Sequence, residues 1–102
     1  MPNPTEWIDV DPRTLRVSSG RLQGADPAKL ARQLSFFGSS TVGMPDIEVW
    51  KCKDDVLMIS NGVTRATRIA KLSPGRLVRV KVTVRIPQYN VSRFPTIQDV
   101  LP

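Results

Sequence analysis

The stretch Ser60-Asn61-Gly62-Val63-Thr64-Arg65-Ala66-Thr67-Arg68 follows the apolar run Val56 to Ile59 and opens a helical pattern rich in arginine. A strand that turns through glycine into a helix leaves the first backbone N–H groups without intrahelical partners, and the aligned peptide dipoles add partial positive charge there. That end of a helix receives anions, and phosphate fits. On this reading Gly62 takes a positive φ and lets a ligand oxygen approach the backbone, Asn61 or Thr64 caps the helix, and Arg65 and Arg68 fork onto phosphate oxygens. The competing reading makes Asn61-Gly62 a plain turn and Arg65, Arg68 and Lys71 the solvated face of an amphipathic helix.

Elements on either side of this stretch set the fold class. Upstream, Ile47 to Cys52 and Val56 to Ser60 are strands joined by Lys53-Asp54-Asp55, a compact hairpin. Downstream, Val63, Ala66, Ile69 and Ala70 form an apolar stripe on a helix that stops at Ser73-Pro74-Gly75. Val78, Val80, Val82, Val84 and Ile86 then alternate with Arg79, Lys81, Thr83 and Arg85, the pattern of a long strand with one buried face and one basic, exposed face. Near the start, Trp7 to Val10 reads as a short strand ended by Asp11-Pro12, and Arg13 to Ala25 reads as a loop. Asp26-Pro27 opens a helix with Asp26 as N-cap and Pro27 in the first turn; Leu30, Ala31, Leu34 and Phe37 are its apolar positions and Gly38 its C-cap. Ser39 to Asp46 is a polar connector, and Pro87 to Pro102 a turn and tail in which Val100 and Leu101 dock. The expectation is α+β: one small mixed sheet with two main helices packed against it. Trp7, Trp50, Leu57, Ile59 and Ile69 are the expected core contributors, with exposure for stacking as the other reading of Trp50.

At 102 residues the chain is sized for one domain, 1–102, with a core over about 7–86 and a tail over 87–102. Cys52 is the single cysteine and there is no histidine, which removes internal disulfides, cysteine-based zinc sites and the Ser/His/Asp and Cys/His catalytic devices. Lys51 and Lys53 flank Cys52, and cations favour a thiolate. No apolar run reaches the roughly eighteen residues of a membrane span, and Met1 to Glu6 lacks the features of a signal peptide, so a cytoplasmic domain without membrane contact is expected. Residues 1–60 carry seven Lys/Arg against eight Asp/Glu, whereas residues 61–102 carry eight against one. The whole basic excess therefore starts at the glycine turn. Ten of the fifteen cations are arginine, which leans toward bidentate recognition of phosphate or carboxylate and hence toward an anionic partner.

The run Asp26-Pro27-Ala28-Lys29-Leu30-Ala31-Arg32-Gln33-Leu34 leading to Gly38, then Pro45-Asp46-Ile47-Glu48-Val49, then Met58 to Ala66, then Leu77 to Val82, resembles the N-terminal domain of the ParB/sulfiredoxin superfamily. The resemblance covers most of residues 7–84. It implies a ParB/sulfiredoxin-like fold in which the helix after the glycine turn binds nucleotide phosphates; superfamily members include chromosome-partition CTPases, sulfiredoxins, and nuclease or toxin domains of bacterial systems. By position, Gly62, Thr64 and Arg65 match the phosphate-gripping end of the helix, and Arg21 falls near the arginine of the upstream box. Val63 stands where partition proteins typically carry glutamate and sulfiredoxins their reactive cysteine, which argues against a hydrolytic CTPase and against sulfiredoxin chemistry. The helix-turn-helix domain of partition proteins is not seen.

The phosphate-binding set is thus Asn61, Gly62, Thr64, Arg65, Arg68 and Arg21, for a nucleotide or nucleic acid, with a bacterial toxin or nuclease module as its setting. A nucleotide cofactor and a divalent metal ion both stay open; the oxygen ligands on offer are Asp9, Asp11, Asp26, Asp46, Glu48, Asp54 and Asp55, no metal site is assigned, and no residue is assigned to catalysis. The alternative is a non-catalytic interaction module whose basic strand face, Arg79, Lys81 and Arg85, meets an acidic protein. Direct duplex binding through the basic half is the third and weakest reading, since no recognition-helix signature is seen.

Overall fold

The computed structural model describes residues 5–102. Its elements run β1 (Glu6–Val10), α1 (Pro27–Phe37), β2 (Ile47–Lys51), β3 (Leu57–Asn61), α2 (Val63–Leu72) and β4 (Val78–Arg85), with short 3-10 turns between them. The four strands form one sheet in the order β1-β4-β2-β3. β4 is central, antiparallel to β1 and parallel to β2, while β2 and β3 make the antiparallel hairpin. The fold is therefore the expected α+β, with a four-stranded mixed sheet and two helices.

Alternation on β4 explains its place. Val78, Val80 and Val82 are buried, and in register with them stand Ile47 and Val49 of β2. α2 lays Val63, Ala66, Ile69 and Ala70 on that face, with Leu57 and Ile59 of β3, to close the main core. The alternation ends sooner than its sequence pattern: Val84 is 37% exposed and Ile86 lies beyond the strand. Pro27 in the first turn and Asp26 Oδ1, which accepts from the Ala28 N–H at 3.0 Å, start α1; Gly38, at φ 53°, ends it, its N–H bonding to the Leu34 carbonyl at 3.1 Å.

Two expectations are corrected and a third is refined. Arg13 to Ala25 is the expected loop, with 3-10 turns and an isolated bridge, but it is partly core. Leu15 and Val17 are fully buried, and Arg16 bridges to Met58 on one side and Thr96 on the other. The stretch 87–102 is not a tail. Val91 and Ile97 are buried, the Ile97 N–H bonds to the Leu15 carbonyl at 2.9 Å, and Val91 joins Cys52 and Met58 in a second small core beside Trp50 and Tyr89. Trp7 leaves the core, 41% exposed, because its register partner is Lys81 on the outer face of the sheet. Trp50, half-buried, packs on the second core, while Leu57, Ile59 and Ile69 are buried as expected. The radius of gyration, 13.2 Å, is that of one domain of about 100 residues. Among the described residues no helix is long and apolar enough to cross a membrane.

Candidate functional site

Gly62 is the N-cap of α2, at φ 115° and ψ 23°, a left-handed conformation that a side chain resists. Neither Asn61 nor Thr64 caps the helix: no side-chain hydrogen bond closes the N-terminus, and the first turn holds no acidic residue. Asn61 is the exposed last residue of β3, paired with Glu48. The space beside Gly62 is used by the chain itself. A Cβ there would lie 3.0 Å from Arg65 Nη2, 3.2 Å from Arg65 Nε and 3.3 Å from the Ile47 Cα. The glycine thus lets Arg65 fold its guanidinium back over the helix start, where Nη2 donates to the Asp46 carbonyl at 3.1 Å.

Arg68, one turn on, is only 2% exposed and so belongs to no solvated face. Its Nη1 donates to the carbonyls of Gly38 at 2.7 Å and Ser40 at 2.8 Å, its Nη2 reaches Met44 Sδ at 3.2 Å, and its guanidinium carbon lies 5.5 Å from the centre of the Phe37 ring. Arg76 donates to the Ser39 carbonyl at 2.8 Å and to Thr41 Oγ1 at 3.2 Å. Three arginines therefore hold the connector between α1 and β2, which the sequence presents only as polar.

Between that connector, the end of α1 and the start of α2 lies a cleft of about 230 Å³, lined by Gln33, Phe37, Val42, Met44, Arg65 and Arg68 among others. The buried side-chain polar atoms without a hydrogen-bond partner among the described residues are Arg65 Nε, Arg68 Nε and Gln33 Oε1. All three belong to residues of this cleft. A guanidinium cannot shed its proton at ordinary pH, so Arg68 carries a buried charge with no counter-ion among the described residues. Burial, with Arg76 adding its repulsion, pushes the Arg68 pKa below its ordinary value.

Arg21 is not part of this arrangement. It is exposed and lines a separate shallow groove with Gly24 and Asp26. The expected basic strand face is not one face: a register shift after Val82 turns Arg85, with its partner Lys51, to the core side, and only Arg79 and Lys81 stay on the outer side. Arg79 lies 3.8 Å from Asp9, Arg85 and Lys51 share Glu6, and Lys81 sits over the Trp7 ring at 6.0 Å. The Cys52 thiol is buried, which raises its pKa despite the flanking lysines. Asp54 and Asp55 form a tight turn with φ of 60° and 62°, and no group of three metal-ligating side chains occurs among the described residues.

Sequence reasoning missed Gln33, Phe37, Val42 and Met44. A usable signal was present: residues 27–45 and 56–98 contain no Asp or Glu, so the one acidic residue where α2 meets the connector is Asp46, which Arg65 touches through its backbone carbonyl. Compared with known proteins, the chain matches no family model, no curated protein and no solved structure.

Proposed function

We propose that this cleft binds a phosphate-bearing ligand, a nucleotide or nucleic acid, with Arg65 and Arg68 as its cationic wall. The observation that carries the reading is the pair of unpartnered guanidinium Nε groups in one cleft with no acidic side chain among its lining residues. An anion there supplies the counter-ion that Arg68 lacks and accepts from the free Nε of Arg65 beside the start of α2. Gln33 serves as well, since a half-turn of its amide presents the NH2 group in place of the oxygen. Phe37, Val42 and Met44 give the cleft apolar walls, which suit a phosphate carried on an apolar or planar body.

The ParB/sulfiredoxin-like resemblance supports the same end of the same helix, and extends to a nuclease or toxin module of a bacterial system as the setting. In this chain the role narrows to Gly62, Arg65 and Arg68, with Arg68 contributing its Nε and its field, because its other nitrogens hold the connector. The reading as a protein-docking face through Arg79, Lys81 and Arg85 has less support, since Asp9, Glu6 and Trp7 already engage those cations.

An NMR titration with CTP, ATP and a short oligonucleotide tests the proposal, with the Gly62, Thr64 and Arg65 amides as reporters. Saturable shifts at those amides in wild type, weakened about tenfold or more in Arg65→Ala, are expected for the loss of a charge-assisted hydrogen bond. Silence at those amides in the folded protein overturns it.

A further inference from the structure

We propose that the ligand is a single-stranded nucleic acid, held with one phosphate in the cleft and the neighbouring base stacked on Phe36. The inference rests on the phosphate reading of the cleft and adds the surface that leads to it. Phe36 is 76% exposed, and its ring centre lies 6.4 Å from that of Phe37, a wall of the cleft. Val42, another wall, is 89% exposed, so the mouth of a cationic cleft is rimmed by apolar side chains open to solvent.

Phe36 also ends a row on α1. Lys29, Arg32 and Phe36 are spaced three and four residues apart, which places them above one another on one face of the helix, and all three are exposed. The row climbs about 10 Å at the helical rise and ends beside the cleft. Neither Lys29 nor Arg32 meets a carboxylate; every ion pair among the described residues lies elsewhere. Two free cations, an open aromatic ring and then two guanidiniums are what a single strand can use: phosphates track the cations while an unpaired base offers its face to the ring. A duplex keeps its base faces stacked inside and has nothing to place on Phe36. A mononucleotide fills the cleft and leaves the row idle. An anionic lipid surface would answer to the same charges, and the experiment separates it.

Binding of an end-labelled oligothymidylate is followed by fluorescence anisotropy, beside the same length as duplex, phosphatidylserine vesicles, and an NMR titration with thymidine monophosphate. Wild type is expected to bind the strand more tightly than the mononucleotide or the duplex. Phe36→Ala should weaken the strand about tenfold, the loss of one stacked base, and leave the mononucleotide shifts at Gly62 and Arg65 unchanged. Phe36→Tyr should restore the strand affinity. The side chain is exposed enough that both variants should melt as wild type does. Equal strand affinity for Phe36→Ala and wild type, equal affinity for strand and duplex, or binding to vesicles with none to the strand overturns the proposal while the phosphate reading stands. Amides of Gly62 and Arg65 that ignore thymidine monophosphate defeat the phosphate reading itself.

Discussion

Along the sheet Arg79 faces Asp9 on the outer side and Arg85 shares Glu6 with Lys51 at the edge of the core side, whereas in the helical layer Arg65, Arg68 and Arg76 hold backbone carbonyls, one hydroxyl and a thioether. The two regions have similar residue composition on the cationic side and differ in what answers it. β1 brings Glu6 and Asp9 alongside β4, so the strand's charges are met within the fold. α1 and α2 bring none, the connector's Asp46 forms no ion pair, and among the described residues Lys29, Arg32, Arg65, Arg68, Lys71 and Arg76 are left without an Asp or Glu side-chain partner. Net charge divided by sequence position pointed at the second half of the chain. Divided by layer, six of the eleven cations without an ion pair among the described residues lie on α1, α2 and the turn after α2, and the contribution of α1 comes from the half that balances out in sequence.

The sharpest way to break the contrast is Arg68→Met. Methionine keeps bulk but strands the carbonyls of Gly38 and Ser40, and with them the path of the connector. Losing two charge-assisted hydrogen bonds to part-buried carbonyls should cost about 2 kcal/mol, read from urea denaturation. If Arg68→Met is as stable as wild type, Arg68 is a buried liability whose only purpose is the ligand, and the connector is held by Arg65 and Arg76.

Gly62→Ala comes next. Alanine must adopt φ near 115° and place its Cβ 3.0 Å from Arg65 Nη2, with the Ile47 backbone close on another side. The strained backbone should cost about 1–2 kcal/mol, and the displaced guanidinium should weaken phosphate binding as well. A variant that loses stability but binds phosphate as before would separate the helix start from the site.

How much of this contrast could be read from the residues depends on the kind of signal. The β4 alternation, the Asp26-Pro27 start of α1 and the Gly62 turn each have a local cause, either period, cap or backbone freedom, and the fold follows them. Leu15 and Val17 sit in a segment with no period, and Ile97 comes two residues after Pro95 in a stretch that looks like a tail; their burial depends on two distant segments meeting across Arg16. Arg68 is the same problem inside the site. Arginine at a position between Ala66, Ile69 and Ala70 reads as surface by type, and only the carbonyls of a connector some thirty residues away explain why it is inside. The helix end was legible; the cleft was not, since half its lining comes from that connector.

Acid should separate the two regions again. Hydrogen bonds from Arg85 and then Lys51 hold the Glu6 carboxyl below its ordinary pKa, and the Arg13 fork does the same for Asp11. A depressed carboxyl gives stability that is present above its unfolded pKa and lost as pH falls through the folded one. The melting temperature should therefore decline below the ordinary carboxylate range, and Glu6→Gln should flatten part of that decline. Phosphate binding should behave differently. With no histidine in the chain and no acidic side chain lining the cleft, affinity for a phosphate monoester should follow only the ligand's own second ionisation, near pH 6 by rough expectation. A binding transition in the carboxylate range instead would place an acid in the site.

The smallest effect belongs to the strand face. The Arg79 and Asp9 side chains are 69% and 63% exposed and their charged atoms 3.8 Å apart, so water and salt screen most of their attraction. Arg79→Ala should change stability by less than about 0.5 kcal/mol, measured by denaturation, and leave the phosphate titration as in wild type. Removing Arg79 also frees Asp9, which adds a negative charge to a face already carrying Glu48 beside Lys81. If binding of an anion weakens nonetheless, the sheet face contributes through its long-range field, and raising the salt beyond the Debye length's reach should erase the difference while the Arg65→Ala loss persists. A loss that survives high salt would put Arg79 in contact with the ligand and dissolve the division between the two layers.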